Sequence, residues 1–413
     1  MKVSIDPVTA GRVNAAWPKL NSAQQAALGP AILSANEQAV STVQSGKAPA
    51  APAAPHHLIY AHSTLTNDSS GVVSSLDSDV VIDVGPDGVI WGTGKYEQFD
   101  PGWVEAFASF LETLILGKHP FMAKPVTVPI PDKVSIALAG DWGTGDWRTA
   151  SNPAPSTDVK THMTLLQPDV TIHLGDVYYS GTSDQEKHLL VNLWPPGGLG
   201  SFALNSNHEM YSGAKPYFQA IANKPFEKQN GCSYFALEND NWVIIGLDSA
   251  YFADELGLYE DGSLGPDLGT QVQFMQQFTA TNKKVIVLTH HNGLTEDGSA
   301  RTKLFDQVMS GFPDGQGPAA WYWGHVHAAA VYQNQDPGGR NVPCRCCGHG
   351  GLPWGQATEL ANAPNVKWYE NRSAEDSDMP QRVLNGFTLL RLDGPNLAET
   401  FYDENGGIAW SNP

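Results

Sequence analysis

Residues 170–179 read VTIHLGDVYY, a short apolar run that stops at a glycine and a carboxylate. Val, Thr and Ile suit a strand, and a run apolar on both faces is expected where a strand is covered from both sides. The same grammar recurs along the chain. VSIALAG (134–140) stops at Asp141, and SFALN (201–205) is followed by Ser206, Asn207 and His208. VIVLTH (285–290) ends in His290 with His291 next, and AAWYWG (319–324) ends in His325 with His327 two residues on. WVIIGL (242–247) is followed by Asp248, which is read as a turn stabiliser. Intervening stretches such as LGTQVQFMQQFTATN (268–282) are long enough for helices, so the pattern predicts a layered α/β core from about residue 132.

The flanking regions read differently. GFTLLRLDGPNLAETFYDENGGIAW (386–410) predicts an antiparallel hairpin turning at Asp393-Gly394-Pro395-Asn396. Residues 1–46 predict a helical appendage, capped by Asn21 or Ser22, ended by Gly46 and broken or kinked at Pro30, with two short helices favoured over one. The Ala/Pro stretch 47–56 reads as an extended linker. Residues 57–131 read as a strand-and-helix extension, with a hairpin around Pro86-Asp87-Gly88 and an amphipathic helix over 101–117. The main α/β domain is then expected over 132–413.

Composition narrows the partners. The 413 residues carry a formal net charge of -19, which repels nucleic-acid backbones and anionic membranes. A site for an anionic ligand on such a chain calls for local positive charge, which bound cations supply. No run of ~18 apolar residues suggests a membrane span. The opening residues lack an apolar signal region, so the expectation is a soluble cytoplasmic protein, or a periplasmic or secreted one if a leader was removed. Four cysteines do not make a disulfide scaffold, and Cys344, Cys346 and Cys347 are expected in a loop with inert or partly paired thiols. His56, His57, His62 and Arg148 are read as solvated.

Ligand sites in open α/β sheets form beyond the carboxyl ends of strands. Here those ends carry Asp141, Asp176, Tyr179, Asn207, His290, His325 and His327. Two carboxylates, an amide, a phenol and three imidazoles without a thiolate suit Fe, Zn or Mn. Each residue alone has a bland explanation as a cap, a turn or a core side chain; their ordered recurrence is the signal.

GDWG (140–143), GDVYY (175–179), NHE (207–209), VLTH (287–290) and GHVH (324–327) resemble the five ordered motifs of the calcineurin-like metallophosphoesterases. GDxG and GDxxY further resemble the purple acid phosphatase branch. The resemblance implies an α/β/β/α sandwich of two packed mixed sheets flanked by helices. It implies two metal ions: Fe(III) held by Asp141, Asp176, Tyr179 and His327, and a divalent Fe, Zn or Mn held by Asp176, Asn207, His290 and His325. His208 matches the family's leaving-group acid, and Asn207 and His291 are candidates for substrate contact. A free phenol has a pKa of about 10, so a strongly acidic cation is needed to make Tyr179 a phenolate ligand. Ser206 stands where the family has glycine, so a changed loop geometry is expected there.

The implied activity is hydrolysis of phosphate monoesters by a metal-bound hydroxide, on a small phosphorylated substrate. A phosphodiesterase acting on nucleotide or lipid diesters, and a non-enzymatic scaffold retaining the fold, are the alternatives. The N-terminal helices are candidates for an oligomer contact.

Overall fold

The computed structural model describes residues 6–50, 81–266 and 269–413. His56, His57, His62 and most of the Ala/Pro linker lie outside the described residues. The N-terminal segment forms α1 (Pro7–Ala16) and α2 (Ser22–Ser45). The expected break at Pro30 does not occur; Pro30 lies inside α2. A proline disfavours helical geometry in its predecessor through that residue's Cβ, and here the predecessor is Gly29, which has none. Asn21 accepts the Gln24 N–H at 2.9 Å and Gln24 Oε1 returns the bond, while Gly46 ends the helix at φ 66°. Leu28, Ile32, Ala35 and Ala39 form the buried face of α2.

β1 (Val81–Val84) and β2 (Ile90–Gly92) pair antiparallel around the expected turn. They lead to α3 (Trp103–Leu116). This helix is more than amphipathic, because Trp103, Val104, Phe107, Ala108, Phe110 and Leu111 are all buried. Arg12 of α1 ties to its Glu112 at 2.8 Å.

The remaining strands are β3 (Val126–Pro129), β4 (Lys133–Ala139), β5 (Val170–His173), β6 (Gly200–Ala203), β7 (Phe235–Glu238) and β8 (Trp242–Gly246). After them come β9 (Lys284–Thr289), β10 (Ala320–Trp323), β11 (Ala329–Tyr332), β12 (Cys344–Cys347), β13 (Val366–Tyr369), β14 (Gly386–Asp393), β15 (Asn396–Asp403) and β16 (Ile408–Asn412). One mixed sheet has the order β13-β11-β12-β10-β9-β8-β7-β3, and a second has β16-β15-β14-β4-β5-β6. β4, β5 and β6 run parallel, and the expected C-terminal hairpin, β14 and β15, extends that sheet antiparallel.

Strand alternation sorts side chains between layers. Ile136, Leu138, Ile172 and Phe202 meet Phe235, Ile244, Ile286 and Leu288 between the sheets. Ala137, Ala139 and Ala203 face the helix layer that includes α1, α2, α3 and α4 (Pro155–Leu165). Val285, Val287 and Trp321 face α6 (Thr270–Thr279) and α7 (Lys303–Met309), numbered after α5 (Asn207–Tyr211). The result is the expected α/β/β/α sandwich.

Two local readings change. Cys344, Cys346 and Cys347 occupy a buried strand and not a loop, and all four cysteines are free. Burial pushes their thiols up, Cys347 to about 12, so they stay protonated and inert. Arg148 is not solvated; it is buried against Asp376 Oδ2 at 2.8 Å. Arg382 reaches the same oxygen at 2.9 Å and clamps Glu404 through two contacts of 2.6 and 2.8 Å. Burial alone would raise the Asp376 carboxyl, but the guanidiniums of Arg148 and Arg382 hold it below its ordinary value. A depressed folded-state pKa stabilises above the unfolded pKa, and that contribution fades as the pH falls through the folded value. Arg382→Met leaves buried carboxylates short of a partner and is expected to cost about 3–5 kcal/mol. Urea denaturation at neutral pH checks this, and a loss below about 1 kcal/mol, the worth of an exposed pair, would contradict it.

Candidate metal centre

The site forms where the two sheets converge at their carboxyl ends. Gly140, after β4, and Gly324, after β10, lie back to back; a Cβ on Gly140 would stand 2.9 Å from the Gly324 Cα. That close approach lets the residues that follow, Asp141 and His325, meet: the His325 N–H donates to Asp141 Oδ2 at 2.9 Å. Asp141, Asp176 and His325 have φ of 56°, 78° and 66°. Non-glycine residues held in the left-handed region cost about 1–3 kcal/mol each and persist where their surroundings over-determine them. Gly143 explains the GDxG spacing. Its N–H donates to Asp176 O at 3.1 Å, its carbonyl accepts from Tyr178 N at 3.0 Å, and a Cβ there would sit 2.5 Å from Asp176 O.

Asp176 is the hub. Its Oδ1 lies 3.4 Å from His290 Nε2. Its Oδ2 accepts from the Tyr178 hydroxyl at 2.8 Å and lies 3.8 Å from His208 Nε2 and 4.0 Å from His327 Nε2. Asp141 Oδ1 lies 3.3 Å from His327 Nε2. Asn207 Oδ1 faces His290 Nε2 at 2.9 Å, and its Nδ2 donates to Tyr211 Oη at 3.0 Å. His325 Nε2 points towards Glu260 at 3.6 Å. Six of the seven sequence-derived candidates, Asp141, Asp176, Asn207, His290, His325 and His327, are therefore brought together.

The seventh is not. The Tyr179 hydroxyl turns away to donate to Asp100 and accept from Lys95 Nζ at 2.5 Å. Its neighbour Tyr178 takes the place instead, with its hydroxyl 3.1 Å from His327 Nε2 and 3.4 Å from Asp141 Oδ1. The motif offers two adjacent tyrosines, and their order alone does not say which one faces inward. His291 is a second correction. Its Nδ1 meets Ser249 Oγ at 2.9 Å and its Nε2 meets the Tyr259 carbonyl at 2.8 Å, so both nitrogens are committed away from a substrate. The Ser206 substitution changes less than expected. Ser206 is extended at φ -136°, so no glycine is required, and it caps α5 by accepting the His208 N–H at 3.1 Å. Asp248 holds a turn as read, accepting the N–H groups of Ala250 and Tyr251 at 3.1 and 2.9 Å.

The donor set fits cations. His290 Nδ1 faces the Leu174 carbonyl at 2.9 Å while its Nε2 faces the Asn207 amide oxygen. A neutral imidazole has one N–H and cannot serve two acceptors, and burial lowers the His290 pKa, which keeps it neutral. Asp176 Oδ1 beside it is buried without a hydrogen-bond partner among the described residues. A cation shared by these atoms removes both conflicts. Burial first, and then the charge of Asp176, raise the Asp141 carboxyl well above its usual range, a second sign of uncompensated negative charge. The ligand atoms of Asp141, Asp176 and His290 lie within 4.8 Å of one another.

A cavity of about 280 Å³ opens above this cluster. Asp176, Asn207, His208, His325 and His327 form its floor, and Trp91, Tyr96, Trp103 and Trp354 form walls. The extension before residue 131 thus supplies much of the enclosure, which sequence reasoning left without a role.

Residues 134–329 match the family model of the calcineurin-like phosphoesterases. That segment carries every residue of the cluster. The segment is similar to a calcineurin-like phosphoesterase domain, and such a domain indicates a hydrolase. No curated protein matches the chain. Among solved structures, GAP50, the anchor in the inner membrane complex of Plasmodium, aligns at 13% identity and TM-score 0.45 over 68% of this chain and 88% of its own. The purple acid phosphatase PPD1 of yellow lupin aligns at 14% and 0.47 over 69% and 54%. A predicted phosphoesterase of Streptococcus pneumoniae aligns at 11% and 0.28 over 68% and 96%. At these values the likenesses carry no functional weight.

The two tyrosines separate cleanly by experiment. Tyr178→Phe is expected to weaken metal retention by at least about 10–100-fold, the scale seen when even outer partners of a metal site are lost. Tyr179→Phe is expected to keep its metal content. Elemental analysis after dialysis against a weak chelator checks both, and the reverse ranking would contradict the geometry.

Proposed function

We propose that this chain hydrolyses phosphate monoesters of small alcohols at a two-metal centre. The observation that carries the reading is the position of Asp176, one oxygen turned to His290 and the other to Tyr178 and His327. Asp141, Asp176, Tyr178 and His327 would hold ferric iron; Asp176, Asn207, His290 and His325 would hold a divalent Fe, Zn or Mn. Burial, then the Asp176 and Asp141 charges, hold the Tyr178 phenol protonated well above its ordinary range. Ligation through that oxygen therefore favours a strongly acidic cation. Bound there, the pair would activate water and stabilise charge developing on the phosphoryl oxygens.

The chain's own residues supply the rest. His208 Nδ1 donates to the Tyr179 carbonyl at 2.7 Å, which leaves Nε2 to face the cavity. A phosphate dianion beside Nε2 favours the protonated ring, which can then donate to the leaving alkoxide. The walls limit the size of the alcohol. Among the described residues no lysine or arginine lines the cavity, while Asp87, Glu260, Asp261 and Glu296 do. That charge opposes polyanionic nucleotides.

Asp176→Asn is expected to abolish turnover and metal retention together. The wild-type protein is expected to hydrolyse p-nitrophenyl phosphate with a higher kcat/KM than bis-p-nitrophenyl phosphate; the opposite order would make it a diesterase. His208→Ala is expected to slow alkyl phosphates by about 10²–10⁴-fold and activated aryl phosphates much less. Equal losses on the two would remove the acid role.

A further inference from the structure

We infer that Tyr179 is a positioning residue, clamped by Lys95 and Asp100 of the N-terminal extension so that its backbone carbonyl sets the orientation of His208. The inference rests on the reading of His208 as the leaving-group acid and adds the device that aims it.

The clamp begins with Asp100. Its Oδ2 accepts the Tyr96 N–H at 2.7 Å and its Oδ1 accepts the Gly102 N–H at 2.8 Å, so the carboxylate is fixed by the backbone around it. The Tyr179 hydroxyl donates to that carboxylate and accepts from the Lys95 ammonium at 2.5 Å. A phenol standing between a cation and an anion satisfies both, and three polar groups are matched inside an otherwise aromatic pocket. The ring is held as closely as its tip. Trp103 meets it edge-on at 4.6 Å, Tyr96 lies at 5.0 Å, and Lys95 Nζ sits 4.4 Å from its centre. A Cβ on Gly102 would fall 2.3 Å from Tyr179 Cζ, so glycine there leaves the space the ring fills.

With its far end and its faces fixed, Tyr179 has little freedom at its backbone. Its carbonyl is the acceptor for His208 Nδ1 at 2.7 Å. That bond puts a proton on Nδ1 and turns Nε2 to the substrate. The Trp103 and Tyr178 rings, at 5.9 and 4.5 Å from the His208 ring, restrict its tilt. The extension is thereby coupled to the acid through one residue, and small errors matter: a misplacement of about 1 Å can cost about 10²-fold in rate.

A structural role alone would depress all substrates alike, whereas a role in aiming the acid depresses those that need it. The test is a double-mutant cycle in the full-length, metal-loaded enzyme, with p-nitrophenyl phosphate and glycerol 2-phosphate as aryl and alkyl substrates. Tyr179→Phe, which removes one oxygen and keeps the caged ring, is expected to widen the aryl-to-alkyl ratio of kcat by about tenfold. Asp100→Asn and Lys95→Met are expected to act in the same direction. In a His208→Ala background none of the three should change the ratio. Equal losses on both substrates, or the same widening without His208, would overturn the inference. If His208→Ala itself leaves the ratio unchanged, the acid assignment has failed first and the clamp falls with it. Loss of metal from Tyr179→Phe would identify Tyr179 as a ligand and also overturn it.

Discussion

Asp141 and Asp176 are buried side by side in one pocket, and this juxtaposition governs the rest of the molecule. Two carboxylates out of water cannot both stay charged without compensation; the group shifts its pKa or finds a cation. The surrounding imidazoles His290, His325 and His327 are themselves held neutral, because burial lowers each of their pKa values. Neutral imidazoles are poor counter-ions and good ligands. The pocket therefore has the composition of a metal cage, and among the described residues no lysine or arginine lines it. The chemistry assigned to the site follows from satisfying this deficit with ions instead of arginine or lysine.

Holding that pocket together costs strain, and the sandwich is arranged to bear it. Asp141, Asp176 and His325 adopt left-handed φ just past strand ends and are pinned by hydrogen bonds, the one from His325 to Asp141 joining the two sheets. The contact of Gly140 with Gly324 draws β4 of one sheet to β10 of the other. The segment from Asp87 to Trp103, where α3 begins, adds a further wall, so residues from the first quarter of the chain complete a cavity whose floor comes from the middle. The same extension reaches the acid through Tyr179. A site built from such separated pieces is rigid because every piece is also part of the core.

The strand ends were legible because strand, glycine and ligand recur with a fixed grammar, and that grammar survives without any three-dimensional information. The α/β/β/α layering and the convergence of Asp141, Asp176, Asn207, His290, His325 and His327 followed from it. What stayed hidden depends on backbone detail. Nothing in GDVYY tells which tyrosine turns inward; that is decided by Asp100 and Lys95, some eighty residues earlier. Pro30 continues a helix because Gly29 precedes it, a steric exception that propensity does not weigh. Cys344 to Cys347 form a strand although glycines follow, because β10 and β11 pair with them on both sides. Arg148 reads as solvated until the distant carboxylate of Asp376 is placed beside it.

The central claim is that one aspartate is shared by two ions. A crystal structure of the metal-loaded protein, with anomalous scattering collected at the absorption edges of the bound metals, addresses it directly. The account predicts two peaks separated by ~3.5–4 Å. One Asp176 oxygen should lie on each, and the Tyr178 oxygen should lie on the ion nearer His327. A single peak, two peaks without Asp176 between them, or a Tyr179 oxygen in the coordination sphere would contradict it.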